Sequence, residues 1–262
     1  MTEQQKDRYL DNVKLINELL KGVLNKDGDI NFSGTTENDF IKRLFSYCNV
    51  KVVPMKFKDS DFNGYIKAKA NRCKICVDSK LSDKEQRYIA VHLFSHCTCE
   101  MMVNKEELYN DYYRYEFSDL KQYYADCRQE VLDDFKSDIA PISAKTLKAC
   151  EGLSKETCDK IKAAALESCK PYELKCKEQL QKLYSAEEEE RAMEDDANAL
   201  AREILMPHEV VKTCVASGKE VSAASFTAKF FVTEKVATAR LNDFYSIEKN
   251  VKAKNASKEM AL

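Results

Sequence analysis

At 262 residues the chain is long enough for one large domain or two small ones with a well-buried core. Hydrophobic residues at 44% and charged residues at 33% fit a helix-rich globular protein and exclude wholesale disorder. A formal net charge of -2 gives no overall attraction for nucleic acid or an anionic membrane.

The opening MTEQQKDRYLDNVKLINELL mixes acids with bases and has no basic start followed by an apolar run, so no secretory signal is expected. Leu10, Val13, Ile16 and Leu20 recur at helical spacing, which predicts a helix within residues 1–30 that Asp27-Gly28 ends. No stretch reaches the length of a membrane span. The eleven Cys, in a long chain without a signal, read as reduced and mostly buried thiols, and the expected compartment is cytoplasmic.

A second helix is predicted from Glu37 to Tyr47, followed by three extended segments, Val50–Met55, Gly64–Ala70 and Lys74–Asp78, with Asp59 to Gly64 as turn. Ser82 and Glu85 have capping-box spacing and start a helix through YIAVHLFSHCTCEMM, with Ala90, Phe94, Cys97 and Met101 as its apolar stripe. Residues 105–185 read as a helical insertion. Tyr113, Phe117, Leu120, Tyr124, Cys127, Val131 and Phe135 form one seam, Pro141 is a break, and Pro171 opens a further helix. Ser185 and Glu188 offer a second capping box for a helix that Pro207 closes, and two short helices flank Phe231-Val232-Thr233. Residues 249–262 are expected to be a flexible tail. The fold class is α+β, mostly helical, with a small three-stranded sheet.

The chemistry concentrates at His92 and His96. Four-residue spacing on a helix places both imidazoles on one face, where they can share a cation or pack as two buried histidines on a helix flank. A zinc site needs a third ligand, and the helix after Ser185 offers Glu190, Glu194, Asp195 and Asp196. Acids in a first helical turn complement the helix dipole, which accounts for Glu187 to Glu190 but not for Glu194 to Asp196 in mid-helix beside Met193, Ala197, Leu200 and Ile204.

The motifs R-Y-x-A-V-H-x-x-x-H (Arg87 to His96), E-x-x-A-N-x-x-A-x-x-x-L-M-P (Glu194 to Pro207) and F-x-V-x-x-x-V-A-x-x-R-L (Phe230 to Leu241) occur in that order. Together they resemble the ImmA/IrrE family of zinc metallopeptidases, over residues 35–103 and 186–245. The resemblance implies a zincin-like domain from 31–104 and 186–248, a zinc held by His92, His96 and Glu194, cleavage of a repressor-type protein partner, and occurrence in mobile elements or phages. Two departures stand out. The family has Glu directly after the first His, where this chain has Leu93, and leucine cannot act as general base. The 97 residues between His96 and Glu194 also exceed the family's usual connection. The expectation is a catalytically impaired metallopeptidase-like protein that binds a protein partner and retains a zinc site. The alternatives are an active zinc endopeptidase drawing its base from Asp195 or Glu100, and a DNA-associated regulator using the C-terminal helices.

Further candidates are weaker. Cys73-x-x-Cys76 with Cys97-x-Cys99 could frame a thiolate zinc site, but core thiols explain them better. His208 follows the L-M-P turn and could reach the cleft, as could Asp195. Nucleic acid is not expected as a partner, since Glu234 and Asp243 accompany Lys235 and Arg240 on the last helix. The tyrosines at 109, 112, 113 and 115 are read either as a partner surface or as packing for the insertion.

Overall fold

The structure is a computed structural model that describes residues 39–58, 62–69, 72–103, 112–217 and 221–259, with four isolated positions before them. Those four include Asp11, Lys14 and Glu18, which are helical, with Lys14 Nζ 2.8 Å from the Asp11 carboxylate. The rest of the helix expected within 1–30 lies outside the described residues.

Over the described residues the fold is α+β, 73% helical, with one mixed four-stranded sheet. In order, α1 spans Phe40–Tyr47, β1 Val50–Met55, β2 Phe62–Lys69, β3 Arg72–Asp78, α2 Asp83–Val103, β4 Tyr112–Phe117, α3 Leu120–Cys150, α4 Lys155–Leu205, α5 His208–Ala216, α6 Ala223–Phe230 and α7 Glu234–Glu259. Two compact units result. One comprises residues up to Ser118 and from Met193 onward, and the other Asp119–Ala192.

In the first unit the strand order is β1-β3-β2-β4, with β1 parallel to β3 and the other neighbours antiparallel. β3 lies inside the sheet and carries the buried run Ile75, Cys76 and Val77. Alternation of side chains gives the sheet two faces. Gly64 of β2 lies on the face that meets α2: a Cβ there would stand 3.2 Å from Ile89 Cγ2 and from Leu93 Cδ1, and 2.6 Å from the Cys76 carbonyl. Helix and sheet approach this closely because the position has no side chain. Ile66, Ile75 and Val77 share that face with Gly64 by register and are buried with Ala90, Leu93, Leu200, Ile204 and Phe230 in one core.

α2 starts at the capping box read from the sequence: Ser82 N–H donates to Glu85 Oε2 at 2.9 Å, and Glu85 N–H to Ser82 Oγ at 3.4 Å. From Ile89 to Cys97 every residue of α2 is buried, so this helix is enclosed on all sides. Two charged locks tie the surrounding helices. Asp39 caps α1 by accepting from Ile41 and Lys42 N–H and is gripped by both terminal nitrogens of Arg87, at 2.7 and 3.0 Å. Fully buried Arg240 donates to Glu203 at 2.6 Å and to the Met206 carbonyl at 2.8 Å, while Glu203 accepts the His208 N–H, fixing the turn between α4 and α5 against α7.

The second unit is an antiparallel helical hairpin of α3 with the first part of α4. Arg128 pairs with Glu187 and lies over the Tyr184 ring, while Cys150 contacts the backbone carbonyl of Cys158 near the connecting turn. Half-buried Tyr124, Cys127, Val131, Phe135 and Ile139 face the seam from α3, and Cys158, Ile161, Ala165 and Cys169 from α4.

Several expectations are corrected. The sheet has four strands rather than three, because residues 112–117, assigned to the helical insertion, form β4; the insertion expected at 105–185 is a unit at 119–192. Tyr113 and Phe117 are four apart, an interval that suits a helix turn and equally two steps of a strand's alternation. Pro141 and Pro171 lie inside α3 and α4 and break neither. Both are exposed, so the freed carbonyl is open to solvent, and the seam on the opposite face holds the helix. Ser185 and Glu188 sit within α4 and start no helix, since a three-residue spacing alone does not interrupt a helix already propagating. α7 continues past Lys249, where fraying is expected from the sequence, as far as Glu259.

Candidate metal centre

α2 delivers the two imidazoles, and the part of α4 belonging to the first unit delivers Glu194. His92 Nε2 lies 3.3 Å from Glu194 Oε2, and His96 Nε2 lies 3.0 Å from Glu194 Oε1. The imidazole centroids are 4.7 Å apart and both side chains are almost fully buried. β4 adds two groups. Glu116 Oε2 is 2.8 Å from His92 Nδ1, and Arg114 donates to Glu194 Oε1 at 3.0 Å. Glu116 stands opposite Gly64 and Arg114 opposite Ile66, so β4 turns both toward α2 while Tyr113 and Tyr115 turn away.

One donor atom from each of His92, His96, Glu116 and Glu194 falls within 4.8 Å of the others, and among the described residues this is the only such group able to hold a metal ion. The donor set fits one. Glu116 engages the Nδ1–H of His92, so in the neutral ring Nε2 is the acceptor, and it is aimed at the Glu194 carboxylate. The Nε2 atoms of both histidines are buried and face Glu194 with no conventional hydrogen bond. Both imidazole nitrogens and the Glu194 carboxylate converge on one point, an arrangement that a cation would satisfy.

The titration behaviour reflects that convergence. Burial opposes protonation of His92, but the adjacent Glu116 carboxylate outweighs it and raises the imidazole's pKa. Burial brings His96 down to about 4, so it is a neutral imidazole at neutral pH. Burial works against ionisation of Glu194, yet His96, His92 and Arg114 together hold its carboxyl down to about 2.

A cleft of about 550 Å³ opens on the site, lined among others by Glu85, Tyr88, His92, Glu116, Glu194 and Asn198. Tyr88 stacks on His92 with ring centroids 5.8 Å apart and donates its hydroxyl hydrogen to Asn198 Oδ1. Leu93 does not line the cleft: it is fully buried against the sheet. The other sequence candidates also lie elsewhere. Asp195 is exposed and off the cleft wall. His208 packs on Phe244 and faces Glu248 at 3.5 Å. The Glu100 side chain is outside the described residues. All eleven cysteines are free, and Cys73, pushed up to about 12 by burial beside Cys97, is a protonated core thiol.

Sequence reasoning missed Glu116 and Arg114, because their strand was read as helix. The alternation Y-R-Y-E-F was the available signal. Comparison with protein-family models, with curated proteins and with solved structures returns no match to this chain. Among the described residues no helix is long and apolar enough to cross a membrane.

Proposed function

We propose that this chain is a catalytically impaired, zincin-like relative of the ImmA/IrrE metallopeptidases that binds zinc and acts by engaging a protein partner, a repressor-type regulator. The observation that carries the reading is the pair of buried, unsatisfied Nε2 atoms of His92 and His96 facing Glu194. Two imidazoles and a carboxylate suit zinc, with Glu116 holding the first imidazole in register. Bound zinc would supply Lewis acidity and lower the pKa of a coordinated water. Around it, His92, His96 and Glu194 bind, Glu116 orients His92, and Arg114 holds Glu194 in place. The position of the family's general base is filled by Leu93, which is apolar and packed into the core, and Glu116 is committed to His92 Nδ1. An active endopeptidase would need a carboxylate beside the metal that is neither ligand nor orienter, and exposed Asp195 does not reach the cleft wall.

The test is metal analysis of protein purified without chelator, with a peptidase assay against repressor-type substrates. About one zinc per chain is expected, lost in His96→Ala and Glu194→Ala, with no cleavage above background. Metal-free natural protein, or equal metal content in the variants, would overturn the metal centre. Zinc-dependent cleavage abolished by His96→Ala would overturn the impaired reading.

A further inference from the structure

The sheet face turned away from α2 carries a charge pattern that the near-zero net charge conceals. Register places Lys51 opposite Lys74 and Lys74 opposite Lys67, so three ammonium groups form one row across β1, β3 and β2. Tyr113 of β4, paired with Lys67, completes that row. In the next row Tyr115 stands opposite Tyr65. All three lysines are exposed, and among the described residues none has a carboxylate partner.

Like charges directly opposite each other on neighbouring strands destabilise a sheet. Lysine on an edge strand is a common guard against aggregation, which explains Lys51 on β1. It does not explain Lys74 and Lys67, since β3 and β2 are the inner strands. An uncompensated cationic row on inner strands is complementary to a polyanion. Beside it lie rings in the open: Tyr113 is 46% exposed and Tyr115 41%. They are braced by neighbours, with Tyr65 stacked on Tyr113 at 5.4 Å and Phe62 4.7 Å from Tyr115.

We propose that this face binds single-stranded nucleic acid, with Lys51, Lys67 and Lys74 following the phosphates and Tyr113 and Tyr115 stacking bases. Cations that track a backbone beside aromatic platforms are the general solution for single strands. An acidic polypeptide would answer the lysines and leave the rings unused, and a duplex keeps its bases stacked inside. The surface is separate from the metal centre, because Arg114 and Glu116 alternate with these tyrosines on β4 and face the other way.

Fluorescence anisotropy of the full chain with labelled 12-nucleotide single-stranded RNA and DNA, a duplex of the same length and a polyglutamate peptide tests this. Single strands should bind, with a slope of log K against log salt of about −2 for three phosphate contacts. Tyr113→Ala combined with Tyr115→Ala should weaken binding by roughly 30-fold or more. Lys67→Gln with Lys74→Gln should weaken it and flatten the slope by about 1.4. Melting temperature shows whether each variant folds, and the exposed lysine pair decides the matter if the tyrosine variant does not. No binding at low salt, duplex or polyglutamate bound as tightly as single strand, or folded variants that bind like the natural chain would each overturn the proposal.

Discussion

Glu116 Oε2 sits 2.8 Å from His92 Nδ1, and this contact decides which face of the imidazole is offered to a metal. A carboxylate on the second nitrogen fixes the tautomer and makes the ring a stronger ligand, and loss of such a partner typically costs 10- to 100-fold in metal affinity. Glu116→Ala should therefore weaken zinc binding by about that factor, measured by competition with a calibrated chelator. Glu116→Gln, which can still accept through its carbonyl oxygen, should fall between.

Leu93→Glu restores the residue that the resembled family carries, yet no gain of activity is expected. The side chain is fully buried, and its Cδ1 lies where Gly64 leaves room for nothing larger than hydrogen. A carboxylate without a partner in that position should cost about 3 kcal/mol or more. Thermal melts should show a clear fall, and a peptidase assay no signal.

Arg240 and Glu203 form a fully buried ion pair. Removing one partner leaves the other a buried charge without its counter-ion, so Arg240→Ala should destabilise by roughly 3–5 kcal/mol. Denaturant unfolding would measure it. The double variant Arg240→Met with Glu203→Gln should recover part of the loss, since no uncompensated charge remains.

Stability of the chelator-treated protein should pass through a maximum with pH. His96, held at about 4 against an ordinary 6.5, binds fewer protons folded than unfolded, so stability falls as pH drops from about 6.5 to 4. Glu194, held at about 2 against 4.5, extends the loss as pH falls further. His92 has the opposite sign: its raised pKa gives stability that is complete below 6.5 and lost as pH rises through the folded value. Melting temperatures from pH 4 to 9 should decline on both sides, and zinc, which binds neutral imidazoles, should remove the alkaline decline.

The sequence made α2 legible almost residue by residue. Its capping box is local, and the burial of Ile89 to Cys97 follows from an apolar run around the two histidines. Glu194 was legible because a carboxylate in mid-helix beside Ala197 and Leu200 does not fit a solvated helix start. β4 was not, since its interval from Tyr113 to Phe117 fits both periods and only the pairing with β2, more than forty residues earlier, selects the strand. Pro141 and Pro171 misled for a related reason. A helix held along its seam tolerates a proline on its exposed face, and that support is tertiary.

Among the described residues β4 is an edge strand of the sheet, paired with β2. Such a strand is free to peel away at less expense than global unfolding, and its amide protons report the opening. Glu116 and Arg114 point from one side of it and Tyr113 and Tyr115 from the other. A ligand held from either side would require the strand to be seated. Filling the metal centre should thus slow hydrogen exchange along Tyr112–Phe117, and because linkage is reciprocal, a strand pinned by its zinc would also hold its tyrosines ready on the opposite face.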